Sequence, residues 1–150
     1  MEKNTIKIAI IDGQGGGIGQ QIVLKIREVL SESIENIEII ALGTNAFATV
    51  NMLRVKANKG ASGENAIVKN VSEVDFILGS ISILVSDAMM GEFTTRMSES
   101  VAKSKAIKIL LPINQSNIDI ALTQQEPLPH QVEDAVMRLK NYIERTDQYV

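Results

Sequence analysis

Ile6-Lys7-Ile8-Ala9-Ile10-Ile11-Asp12-Gly13-Gln14-Gly15-Gly16-Gly17-Ile18-Gly19 opens the chain with a β-rich apolar run that breaks into a turn with five glycines in seven residues. The run reads as a buried strand, because parallel strands covered on both faces are almost continuously apolar. Beyond the turn, Ile18, Ile22, Val23, Ile26, Val29 and Leu30 recur at helical spacing. Gln20, Gln21, Lys25, Arg27 and Glu28 fill the other face, so the segment predicts an amphipathic helix.

Working outward, Ile37–Leu42 reads as a second strand ending at Gly43, and Thr44–Ala57 as a helix that turns Phe47, Val50, Leu53 and Met52 inward. Two glycines in four residues make Lys59–Asn65 a loop, with a short strand expected over Ala66–Lys69. Phe76–Leu78 before Gly79 reads as a strand, residues 80–93 as a helix and Thr94–Lys103 as another. Ile107–Leu111 before Pro112 is a further strand, and the alternation of Ile118, Ile120 and Leu122 with polar or small residues predicts a short last one. A terminal helix starts near Pro129, with Val132, Ala135, Val136, Leu139, Tyr142 and Ile143 along one stripe. Strand–helix alternation of this kind predicts an α/β, Rossmann-like three-layer sandwich: a mostly parallel sheet with helices on both faces. At 150 residues, with no linker or repeat in view, residues 1–150 read as one domain.

Composition narrows the function. Fifteen Lys and Arg against eighteen Asp and Glu give a net charge of -3 with both signs scattered, so nothing forms a basic track for nucleic acid. The absence of Cys removes thiolate metal sites and a Cys nucleophile, and with one His no metal is expected. No apolar run reaches membrane-spanning length and no leader pattern is seen, which predicts a cytoplasmic protein with no membrane partner.

The glycine turn carries the main functional expectation. Its Gly-x-x-x-Gly-x-Gly spacing (Gly13, Gly17, Gly19) resembles the nucleotide loop of short-chain dehydrogenase/reductases, though the strict Gly-x-Gly-x-x-Gly is absent. Such a loop needs freedom for positive φ, no Cβ where a phosphate approaches, and exposed N–H groups at a helix start. Gly13, Gln14, Gly15, Gly16, Gly17, Ile18 and Gly19 are therefore candidates to bind the phosphate of NAD(P) or another nucleotide, the alternative being that the glycines only make a tight turn. Asp12 opposes an anion there and reads as an acceptor for loop N–H groups, or else as a ligand for Mg²⁺ beside a phosphate.

Thr44 and Asn45 stand where NAD-binding domains carry a ribose-binding acid after the second strand, and they serve either as ribose partners or as a helix cap. Gly79, Ser80 and Asn114 fall at other strand ends, where ligands of doubly wound sheets bind. Glu64 and Asn65, preceding the expected strand at Ala66–Lys69, fall at the opposite end. The reductases' Tyr-x-x-x-Lys fails, since Tyr142 is followed by Thr146 and Tyr149 lies at the terminus. His130 reads as a solvent-exposed residue of the last helix, and Asp87 and Glu92 as solvated acids around a turn or as a carboxylate pair. No nucleophile with a partner base can be named.

End to end, the chain resembles a small uncharacterised bacterial family of short Rossmann-like proteins, a domain of unknown function. The resemblance is carried by Ile10–Gly19, Ala41–Ala46 and Gly63–Ala66. It implies a fold and a nucleotide-type pocket but no reaction. Three functions stay open: a nucleotide-binding or sensing module, a small NAD(P)-dependent oxidoreductase or other nucleotide-using enzyme, and a ligand-free interaction protein. The apolar stretch Ile81–Met90 reads as buried core or as a subunit interface, the latter giving a homo-oligomer, most simply a dimer.

Overall fold

A computed structural model of the chain describes residues 5–31, 36–113 and 117–148. Five parallel strands stand in the order β3-β2-β1-β4-β5, where β1 is Ile6–Asp12, β2 Ile37–Gly43, β3 Lys59–Ser62, β4 Phe76–Ser80 and β5 Ile107–Leu111. Between them run α1 (Gly17–Leu30), α2 (Ala46–Arg54), α3 (Glu64–Asn70) and α4 (Thr95–Lys103), and α5 (Leu128–Gln148) ends the chain. The expected α/β sandwich is therefore present. Alternation along the strands divides the core. Ile8, Ile10, Ile39 and Leu78 pack against α1, α5 and Met52 of α2. Ala9, Ile11, Leu42 and Ile77 face Ile67 of α3 and Met97 and Val101 of α4. No helix among the described residues is long and apolar enough to cross a membrane.

Four expectations are corrected. Lys59–Ser62 is not a loop but the edge strand β3, with Gly60 opposite Ala41 of β2. The glycine there serves packing, because a Cβ at Gly60 would lie 2.7 Å from Thr49 Cγ2. Consequently Ala66–Lys69 is not a strand but part of α3, which buries Ile67. Residues 80–93 make no α-helix: Ser80 caps a 3-10 turn, Ile81–Leu84, and tight turns follow with positive φ at Asp87, Met89 and Met90. Ile118–Leu122 forms no strand, and Leu122 is exposed with φ 68.

The face of α2 also differs: of the four residues expected inward, Met52 alone is buried. The helix buries Ala48, Thr49 and Met52, whereas Phe47, Val50 and Leu53 are exposed. Thr49 explains this: its hydroxyl meets the Gly43 amide, the Ala61 carbonyl and the Ser62 hydroxyl, joining the ends of β2 and β3. Of the apolar stretch at 81–90, Ile83 and Ala88 are core and Leu84 and Met90 are exposed. Tyr142 is less buried than its stripe predicts; its ring packs against Phe76 and lies under the Arg145 guanidinium.

Candidate functional site

The order β3-β2-β1-β4-β5 reverses direction between β1 and β4, the place where ligands of such sheets bind beyond the carboxyl ends. A cavity of about 200 Å³ lies there, lined by Asp12, Gly13, Gln14, Ile18, Ser80, Ser82, Met89 and Ile113. A larger one of about 320 Å³ lies beyond β5 under residues 118–126, and Ile113 borders both. Size favours the second. Placement at the switch point favours the first, where Gly13, Gln14, Ile18 and Ser80 of the expected set converge.

The glycines of the turn separate by what surrounds them. Gly16 takes φ 72, and a Cβ on it would lie 2.8 Å from Ala48 Cα and 2.9 Å from the Ala48 carbonyl. At Gly19 a Cβ would meet Met52 Sδ at 2.6 Å and Asp12 Cβ at 3.1 Å; at Gly13 it would meet Met89 Sδ at 2.5 Å and Thr44 Oγ1 at 2.7 Å. These three glycines admit neighbouring elements. Gly15 and Gly17 are different: both are exposed, neither has positive φ, and a Cβ on either would meet nothing within 4 Å.

Hydrogen bonds divide the turn in the same way. Asp12 accepts from the Gly13 amide (2.8 Å) and the Gly19 amide (2.7 Å), tying β1 to the start of α1. The Gly16 and Gln20 amides donate to the Gly13 and Gly16 carbonyls. The Gln14 amide donates to Glu92 Oε1 (3.2 Å). Only the N–H groups of Gly15 and Gly17 meet no acceptor among the described residues of this turn. Asn51 donates to the Gly15 carbonyl at 2.7 Å, which fixes the orientation of that peptide.

Burial pushes the Asp12 carboxyl above its ordinary range, with the Glu92 charge adding to it, while the Gly19, Gly13 and Ile18 amides pull it down. Glu92 moves the other way. The Thr44 hydroxyl donates to its Oε1 at 2.6 Å and the Asn45 amide at 2.7 Å, and these bonds, Thr44 first, hold its carboxyl below the usual range. Asn45 also caps α2 by accepting from the Ala48 amide, so its capping role is real and coexists with the Glu92 contact.

Several expected residues lie elsewhere or act within the fold. Gly79 admits β1, since a Cβ there would lie 2.8 Å from the Ile11 carbonyl. Ser80 shares its hydroxyl with Ser82 (2.7 Å) and caps the 3-10 turn. Asn114 lies outside the described residues. His130 is exposed beside Glu126. Asp87 is exposed and Glu92 is bound to Thr44, Asn45 and Gln14, so the described contacts do not make the two acids a pair. Glu64 starts α3 and so stands at the carboxyl edge, where it accepts from Thr94 (2.5 Å); the misplaced third strand had put it at the other end. No group of three or more metal-ligating side chains occurs among the described residues.

The model of the family described as Domain of unknown function (DUF3842) matches residues 7–144. The chain belongs to that family. No curated protein sequence matches it. Among solved structures it is similar to YfkJ from Bacillus subtilis at a TM-score of 0.57 and 11% identity, over 97% of this chain and 99% of that one. A universal stress protein in complex with cAMP matches 68% of this chain and 94% of its own length at 17% identity, with a TM-score of 0.38, too low for the two sites to be compared.

Proposed function

We propose that this DUF3842 protein is a binding module for a phosphorylated nucleotide, whose phosphate is held by the Gly15 and Gly17 amides at the start of α1. The supporting observation is that neither glycine is required by the protein's own packing. Glycine in a conformation that alanine can adopt costs roughly 0.4–1 kcal/mol of extra chain entropy on folding, and at position 17, the first residue of α1, the fold gains nothing in return. An approaching phosphate does require the missing Cβ and the two unoccupied amides, at the end of α1 where the helix dipole favours an anion. Asp12 and Glu92 hold the Gly13, Gln14 and Gly19 amides with negative charge and the Gly13 carbonyl holds the Gly16 amide, which supports a phosphate position at Gly15 and Gly17 and not at Gly13 and Gln14.

The switch-point cavity is walled by Gly13, Gln14 and Ile18 beside these glycines, not by Gly15 or Gly17 themselves. At about 200 Å³ it is smaller than the 300 Å³ or more of most ligand sites, and a ligand anchored at its rim is read as a mononucleotide in preference to NAD(P). A binding or sensing role is preferred to catalysis because both Asp12 oxygens are engaged by the α1 turn, and the carboxylate beside the Thr44 hydroxyl, Glu92, is held by three donors below its ordinary range and so is a weak base.

Thermal shift and calorimetry with AMP, ATP and NAD on the wild type and on Gly17→Ala test the reading. Saturable binding by the wild type is expected. The variant should unfold about 0.4–1 kcal/mol later yet bind at least about tenfold more weakly. Equal affinity in the two proteins, or no nucleotide binding by the wild type, overturns the assignment and leaves the ligand-free interaction protein.

A further inference from the structure

NAD-type domains carry an acidic residue at the end of the second strand to accept the ribose hydroxyls. In this chain that position is Leu42-Gly43-Thr44-Asn45, which has no carboxylate. The fold delivers one from elsewhere. Glu92 lies on the connection from β4 to α4, on the far side of β1, and its carboxylate reaches Thr44 and Asn45 at the end of β2 and Gln14 after β1. The Thr44 amide donates to the Asp12 carbonyl (2.9 Å), so these donors belong to one joined edge of β1 and β2.

We propose that Glu92 is the ribose-binding residue of this site, accepting the vicinal hydroxyls of the nucleotide; the inference rests on the binding function proposed above. Three features of the contact support it. All three donors meet Oε1, and no donor among the described residues meets Oε2, which leaves that oxygen open to a hydroxyl. Its partners are all neutral, and no Lys, Arg or His among the described residues pairs with it, so its charge remains available. A fixed, uncompensated carboxylate attracts hydroxyl donors and repels phosphate, so it selects which part of a nucleotide lies over β2.

The position of Glu92 is also enforced at some expense to the backbone. It follows Asp87, Met89 and Met90, all at positive φ, and Gly91 at φ 90. The loop is anchored on either side by Ala88 and Phe93, which are buried and bridged to each other. Non-glycine residues in this region are held only where surrounding contacts determine them, and such strain gathers at ligand sites.

The test compares AMP with 2′-deoxy-AMP by calorimetry on the wild type, Glu92→Gln and Glu92→Ala, with inorganic phosphate as a third probe. The wild type should prefer AMP by about tenfold or more, as expected for a hydrogen bond to a charged group, and both variants should lose that preference. Phosphate affinity should rise by no more than a few-fold, as expected when one nearby repelling charge is removed. Equal binding of AMP and its deoxy analogue by the wild type overturns the assignment while leaving phosphate anchoring intact. Phosphate binding tighter by about tenfold or more in the variants also overturns it, because Glu92 would then be standing in for the ligand's anion. Binding of adenosine with the same 2′-hydroxyl dependence, but without any gain from its phosphate, leaves Glu92 as the ribose acceptor and removes the phosphate role of Gly15 and Gly17. If neither adenosine nor AMP binds, both proposals fall. Glutamine keeps the length and the Oε1 acceptor, so the result does not depend on the alanine variant folding.

Discussion

The β1–α1 turn and the β4–α4 connection meet at the same edge of the sheet and use glycine in opposite ways. In the first, Gly15 and Gly17 occupy ordinary backbone conformations with open space around them, where alanine would be at ease. In the second, Asp87, Met89 and Met90 hold positive φ, where glycine would be unstrained. Neither choice serves folding. A sequence that is otherwise locally consistent breaks its own rules mainly at functional sites, and the two breaches are joined by the Gln14 amide on Glu92.

The comparison is most exposed to the glycines that do serve the fold. Gly16→Ala combines a left-handed backbone with the Ala48 backbone in the way of its Cβ, and neither can relax cheaply. It should lower stability by about 3 kcal/mol or more, read from urea unfolding. A midpoint equal to that of Gly17→Ala would erase the distinction between packing glycines and surplus ones.

Asp12→Asn should cost less, about 1–3 kcal/mol, because an amide nitrogen then faces an N–H it cannot accept. Its pH dependence has a definite sign. The Asp12 pKa is raised in the folded protein, so the folded state takes up that proton before the unfolded state does as pH falls. Wild type therefore gains stability relative to Asp12→Asn between neutral pH and the ordinary carboxylate range. Urea midpoints of the two proteins should diverge on acidification; convergence would mean that the amide bonds, and not burial, dominate at Asp12.

The smallest effect is expected at Met90, which is 95% exposed with φ 57. Met90→Gly relieves the left-handed strain but loosens the unfolded chain, and the two nearly cancel, leaving stability within about 0.5 kcal/mol of wild type. A loss larger than that would show that the side chain itself holds the loop.

Periodicity alone predicted β1, α1, β2, β5 and α5, because each buries a continuous stripe or run. It failed where small or polar residues make the interface. Thr49 draws α2 against Gly43 and Gly60, so Phe47, Val50 and Leu53 point outward against their pattern, and the glycine that permits this made β3 look like a loop. The glycine turn was legible because its residues are consecutive. In sequence, Glu92 reads as a solvated acid near a turn or as half of a carboxylate pair with Asp87. Nothing local to residue 92 indicates that it reaches Thr44, since that contact depends on β4 lying beside β1.

The strand order has a consequence for synthesis. β1 is the central strand and is synthesised before the other four, yet one of its two neighbours is β4, with Ile8 opposite Phe76. Half of its hydrogen-bonding edge therefore stays bare while the first βαβ unit is already in place. During that interval the nascent chain presents an apolar strand, Ile8–Ile11, to any other β-rich segment nearby, and a chaperone acting on this protein would have most to shield there.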